Sequence, residues 1–161
     1  MVGQILTLNI RTIMKLLFLF IALVAGMLAP IQAGMNARVG AVLRDPVYAA
    51  LISFAVGTAG LFVFCLARGM EWGRISQAGS SLHWGFWCAG LLGVFYVTAT
   101  LFLTPRLGTA LTFSLVVAGQ LLMALVMDQF GLLGVPVQPI SWIRLLGIVL
   151  ITAGVVLIRK F

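Results

Sequence analysis

The stretch WGFWCAGLLGVFYVTATLFLTPRLGTALTFSLVVAGQLLMALVMDQFGLLGVP, residues 84–136, decides the fold. It holds two apolar runs, 84–105 and 107–127, parted by a single charge, Arg106. As a helix rising 1.5 Å per residue, each run is long enough to cross the roughly 30 Å hydrocarbon core of a bilayer. The link Thr104-Pro105-Arg106-Leu107-Gly108 is so short that the two spans are expected to be antiparallel neighbours. Gln120 sits midway along the second run. An amide at that depth needs a partner or water, so it is expected to face protein or a cavity rather than lipid.

Composition points the same way. The chain has 161 residues, 63% hydrophobic and 8% charged, with a mean hydropathy of +1.21. A soluble domain of this size exposes a large share of its chain and cannot hide so much apolar surface. Lipid is therefore its solvent. A net charge of +7 would direct a soluble chain towards nucleic acid. Here the ten Lys and Arg fall at span ends, where headgroups lie, and form no basic face, so no nucleic-acid partner is expected.

Three further spans surround the central pair. Residues 16–37 carry no charge and hold the first span, over about 16–35, after an amphipathic lead with Arg11 and Lys15. A basic start before an apolar run also resembles a signal peptide. The run is long, however, and Pro30 and Gln32 crowd the candidate cleavage sites, so an uncleaved span is expected. The first loop runs over 36–46, and Pro46 suits the first turn of span two, 47–67, where its missing N–H costs nothing. Residues 68–83 form the longest and most polar connection, with Arg68, Glu71, Arg74 and a Ser/Gly patch. Spans three and four occupy about 84–104 and 108–128. The glycines and proline of 131–136 break the fourth helix, and Pro139 prevents an early restart. Ser141 is a plausible N-cap for span five, 142–158, and Arg144 is expected to snorkel back to the surface where that span begins. The fold class is all-α: a polytopic integral membrane protein with five transmembrane helices in a single domain, 1–161, its termini on opposite sides.

Short loops rich in Lys and Arg stay in the cytoplasm. One side carries Arg11, Lys15, Arg68, Arg74 and Arg144, the other Arg38, Arg44, Arg106, Arg159 and Lys160. This even balance points to insertion in both orientations and an antiparallel homodimer, or to an orientation set by something outside the charge pattern. Small residues at four-residue spacing mark packing faces: Ala22, Gly26, Pro30 and Gly34; Gly85, Ala89 and Gly93; Ala110, Ser114 and Ala118. Such stripes let helix backbones approach in lipid.

The polar positions carry the functional reading. Gln32 and Asn36 share a face of span one with Ala25 and Ala29, giving either a groove with two amides or a cap on a helix weakened by Pro30. Thr112, Gln120 and Asp128 lie eight apart on one stripe of span four. That stripe reads as a polar track to a carboxylate at its mouth, or as one interhelical hydrogen bond and an interfacial acid. Tyr96 and Thr100 share a face of span three, where Tyr96 can stack on a ligand and Thr100 can bond its own backbone. Ser53 and Thr58 read as packing residues. Catalysis finds no support: His83 is the sole histidine, the acids Asp45, Glu71 and Asp128 are scattered, and Cys65 and Cys88 form no CxxC. With no metal-ligand spacing and no phosphate-binding loop, neither metal, cofactor, ATP nor enzyme activity is expected.

Gly90-Leu-Leu-Gly-Val-Phe-Tyr96, Thr104-Pro-Arg-Leu-Gly108, Val116-Val-Ala-Gly-Gln120 and Asp128-Gln-Phe-Gly131 together resemble the YdcZ-type five-helix family of the drug/metabolite transporter superfamily. Gln32-Ala-Gly-Met-Asn36 and Phe54-Ala-Val-Gly57 extend the likeness to the first two helices. The resemblance implies a bacterial inner-membrane protein equivalent to half of a ten-helix transporter. In the larger fold two five-helix repeats of opposite topology enclose the substrate. A half-size chain would regain this by pairing antiparallel with itself or with a paralogous subunit. The chain differs from small multidrug resistance transporters, which have four helices and a glutamate in the first; span one here has no acid. The expected function is secondary transport of a small molecule by alternating access, Gln32, Asn36, Tyr96 and Gln120 lining the cavity and Asp128 the coupling candidate. The alternative is a non-transporting membrane subunit that assembles with or stabilises a partner.

Overall fold

The structure is a computed structural model that describes the backbone of residues 2–160 and the side chains of residues 12–160, Ser80 excepted. The side chain of Arg11, counted in the charge balance, lies outside those described. The protein is 89% helix. Five helical stretches are long and apolar enough to span a membrane, Thr12–Leu43, Pro46–Ala67, Trp84–Leu107, Thr109–Phe130 and Trp142–Lys160. Their large apolar side chains point outward, Leu19 67% and Phe95 76% exposed, as side chains solvated by lipid do. The chain divides into two compact units, Met1–Val97 and Thr98–Phe161.

In the first unit, α1 (Val2–Leu43) is a single helix of 42 residues, about 63 Å long at 1.5 Å per residue. It outruns the expected 16–35 at both ends, because the polar residues of 36–38 can be helical once the chain leaves the hydrocarbon. Pro30 lies inside it; membrane helices tolerate such a residue where neighbours re-satisfy the backbone. A Schellman motif ends α1: Asp45 N donates to Gly40 O at 3.1 Å and Arg44 N to Ala41 O at 3.4 Å, with Arg44 in the left-handed region at φ 57°. The Asp45 carboxylate then accepts from Val47 N at 2.8 Å and caps α2 (Pro46–Ala67), where Pro46 occupies the first turn. The two helices close on small residues, with Ala33, Ala49 and Ala50 buried. A Cβ on Gly40 would stand 3.2 Å from Pro46 Cα. This contact face is not the anticipated stripe, for Ala22, Gly26 and Gly34 remain exposed. The polar connection contains a further helix, α3 (Trp72–Ser81), with an exposed Arg74–Glu71 pair at 2.7 Å. His83 has a local task, its Nδ1 accepting from Gly85 N at 3.2 Å to cap the turn Trp84–Cys88 that leads into α4 (Ala89–Leu107).

The unit boundary falls within α4, whose last turn contains Pro105. One residue, Gly108 at φ 82°, separates it from α5 (Thr109–Phe130). Among the described residues the helix pairs in extended close contact are α1 with α2 and α5 with α6 (Trp142–Lys160). The α5–α6 connection is long enough to lay α6 back along α5. Gly131 ends α5 in the left-handed region at φ 61°. The chain returns as a strap: Gln138 N donates to Asp128 O at 2.8 Å, and Ile140 N to the Gln129 side chain at 2.7 Å. Ser141 caps α6 as expected, its hydroxyl accepting from Arg144 N at 3.3 Å.

Candidate functional site

The polar side chains form two separate sites, one in each unit. In the first, Gln32 and Asn36 lie on the face of α1 towards α2 and line a groove of about 640 Å³ with Ser53, Ala25, Ala29, Met35, Ile52 and others. Asn36 Nδ2 donates to Ser53 Oγ at 3.1 Å. Because α1 continues to Leu43, neither amide caps a helix end, which removes the alternative reading of the pair. Gln32, exposed, also borders an adjoining recess of about 240 Å³ lined by Ser53, Phe54, Gly57, Thr58, Leu61 and Val97. The walls are otherwise apolar, and the polar groups are few. Such a lining suits an uncharged or amphipathic molecule, oriented by one or two hydrogen bonds.

Ser53, taken from sequence as a packing residue, is the third polar member of this groove. A signal for it exists. Asn36 stands eight residues before Arg44 and Ser53 eight after Asp45, so an antiparallel hairpin closing at that turn brings them level. Gly40 and Ala49 stand in the same relation at four residues.

In the second unit, Asp128 Oδ2 receives a hydrogen bond from Arg144 Nη1 at 3.2 Å, both side chains about one-third exposed. Arg144 therefore does not simply snorkel to solvent. Nη1 also donates to Gln138 O at 3.3 Å, and Nη2 to the Gln138 side-chain oxygen. The guanidinium thus ties the end of α5, the strap and the start of α6 together. Partial exposure screens the pair, so its net stabilisation is modest.

The remaining sequence candidates are dispersed. Tyr96 is half-buried on α4 in the first unit, and Gln120 is exposed on α5 in the second. The stripe Thr112, Gln120, Asp128 is not one open track, because Thr112 is only 1% exposed. The hydroxyls of Thr104 and Thr112 are buried without a hydrogen-bond partner among the described residues. Among those residues no group of three His, Cys, Asp or Glu side chains gathers as metal ligands would.

A family model described as "Putative inner membrane exporter, YdcZ" matches residues 17–157. Neither the curated proteins nor the solved structures contain a match to the chain.

Proposed function

Because this chain belongs to the YdcZ family of inner membrane exporters, we propose that it is a secondary, non-ATP-driven transporter of a small molecule that works by alternating access. Its functional unit is an antiparallel pair, formed with a second copy or with a paralogous subunit. Substrate binds against Gln32 and Asn36, and Tyr96 and Gln120 complete the polar lining in the assembled pair. Asp128, paired with Arg144, is the coupling group.

The observation that carries this reading is the α1–α2 groove. Two amides and a hydroxyl are gathered there in a lining that is otherwise apolar. A polar group inside the membrane is costly unless it faces protein or a water-filled cavity, so such groups mark transport pathways. The even charge balance supports the antiparallel pairing.

Water access to the groove tests the reading without knowledge of the substrate. Single cysteines replace Gln32 or Asn36 in a chain lacking Cys65 and Cys88, with Leu19→Cys as the lipid-facing control. A membrane-impermeant maleimide is expected to modify position 36, where α1 leaves the hydrocarbon, and also position 32 one turn deeper in the groove, and to spare position 19. If 32 and 36 are as unreactive as 19, the groove is filled by lipid or protein. The non-transporting subunit would then be the better account.

A further inference from the structure

We propose that the cleft between α5 and α6 is a second binding site, one that takes a zwitterionic amphiphile: an apolar body bearing an ammonium and an anion a few atoms apart. The cleft has a volume of about 250 Å³ and is lined by Leu121, Ala124, Leu125, Asp128, Arg144, Gly147, Ile148 and Ile151. Its two charged residues are both at one end. Asp128 and Arg144 are each eight residues from Pro136, whereas Leu121 and Ile151 are each fifteen away. The antiparallel helices therefore set the charges at the mouth and the aliphatic side chains about two turns, roughly 10 Å, deeper. Ala124 and Gly147 leave the space between.

The charge pattern selects the ligand. A simple anion drawn to Arg144 would meet Asp128, and a simple cation drawn to Asp128 would meet Arg144. A zwitterion meets both with the correct sign. The bonds among the described residues engage Nη1 and Nη2 of Arg144 and Oδ2 of Asp128. Among the described residues the Arg144 Nε–H has no partner and suits the ligand's anion, and Asp128 Oδ1 suits its ammonium. Gln138 holds the guanidinium from the strap side, so the pair keeps its place when a ligand enters.

The mouth lies at the span ends, where headgroups are, and the apolar floor lies towards the hydrocarbon. This is the polarity of a phosphatidylethanolamine molecule. A free zwitterion such as leucine offers the same two charges on a short apolar body. The inference does not depend on whether the chain transports anything.

The test is native mass spectrometry of the full-length protein released from micelles containing phosphatidylethanolamine and phosphatidylglycerol in equal amounts, alongside binding of radiolabelled L-leucine. Wild type is expected to retain the ethanolamine lipid, or to bind leucine, with a preference of roughly tenfold or more over phosphatidylglycerol. Asp128→Asn leaves Arg144 facing the ligand alone and is expected to reverse the preference towards the anionic lipid. Gly147→Leu fills the cleft with the ion pair intact, since nothing lies within 4 Å of a Cβ there; it is expected to abolish retention. Ala124→Leu repeats that test from the opposite wall should the first variant fold poorly. Displacement of the lipid by excess leucine assigns the site to free zwitterions, and retention against leucine assigns it to lipid. Equal retention of both lipids without leucine binding, or a preference unchanged in both filled variants, overturns the proposal.

Discussion

Replacing Asn36 and Ser53 singly and together by alanine tests the groove's one interhelical side-chain bond. The Asn36–Ser53 distance is 3.1 Å and the pair is partly buried. In water such a bond contributes about 0.5–1.5 kcal/mol. Between membrane helices, measured coupling averages about 0.6 and reaches about 1.7 kcal/mol, because the separated helices find other partners. Ser53 has such an alternative, the carbonyl one turn back on α2, which serine and threonine in helices commonly use. The expected coupling is therefore near the membrane average, about 0.6 kcal/mol. Reversible unfolding of all four proteins in mixed micelles, with increasing dodecyl sulfate, measures it. Additivity holds to about 0.3–0.5 kcal/mol for independent sites. A coupling within about 0.3 kcal/mol of zero would refute the level pairing of α1 and α2 at this position.

Gly40→Val pushes a branched side chain against Pro46, whose Cα lies 3.2 Å from the nearest added atom. It should destabilise the α1–α2 pair by about 1–3 kcal/mol in the same unfolding assay. Thr112→Val removes a buried, unpartnered hydroxyl at almost constant shape, so it should raise stability by about 1 kcal/mol. A loss instead would show that the hydroxyl is bonded in the assembled protein. Gly131→Ala places a Cβ 2.8 Å from Val137 Cγ2 at a φ of 61°. It should cost about 1–2 kcal/mol from the backbone alone and loosen the strap, seen as faster hydrogen exchange at Gln138 and Ile140.

Much of the fold was legible because lipid demands it. Four uncharged runs of spanning length, and a fifth with a single arginine near its start, have no other solution than membrane helices, and Asp45-Pro46 and Ser141 announce helix starts through capping chemistry that is local. What lay beyond reach depended on distance along the chain or on where the hydrocarbon ends. Asn36 and Arg38 look like a loop within an apolar scan, yet they extend α1, since a helix leaving the membrane has no reason to stop at its first polar residue. The short polar helix α3 has too little apolar periodicity to announce itself among Gly and Ser. The Thr104–Gly108 link, read from the sequence as a tight turn, leaves only Gly108 outside a helix. In the candidate site, Gln32 and Asn36 were legible as amides on one face. Asn36's partner Ser53 and the pairing of Arg144 with Asp128 follow only once the hairpin registers are known. Tyr96 and Gln120 fall in different units.

The central claim is that this chain is half of a transporter, completed by a copy or paralogue in the opposite orientation. Labelling single cysteines at the N-terminus and C-terminus from each side of intact cells, in a chain lacking Cys65 and Cys88, tests it most directly. Both ends labelled from both sides in comparable amounts is the predicted result and makes the antiparallel homodimer the unit. Each end labelled from one side only would contradict self-pairing and require an oppositely oriented partner chain.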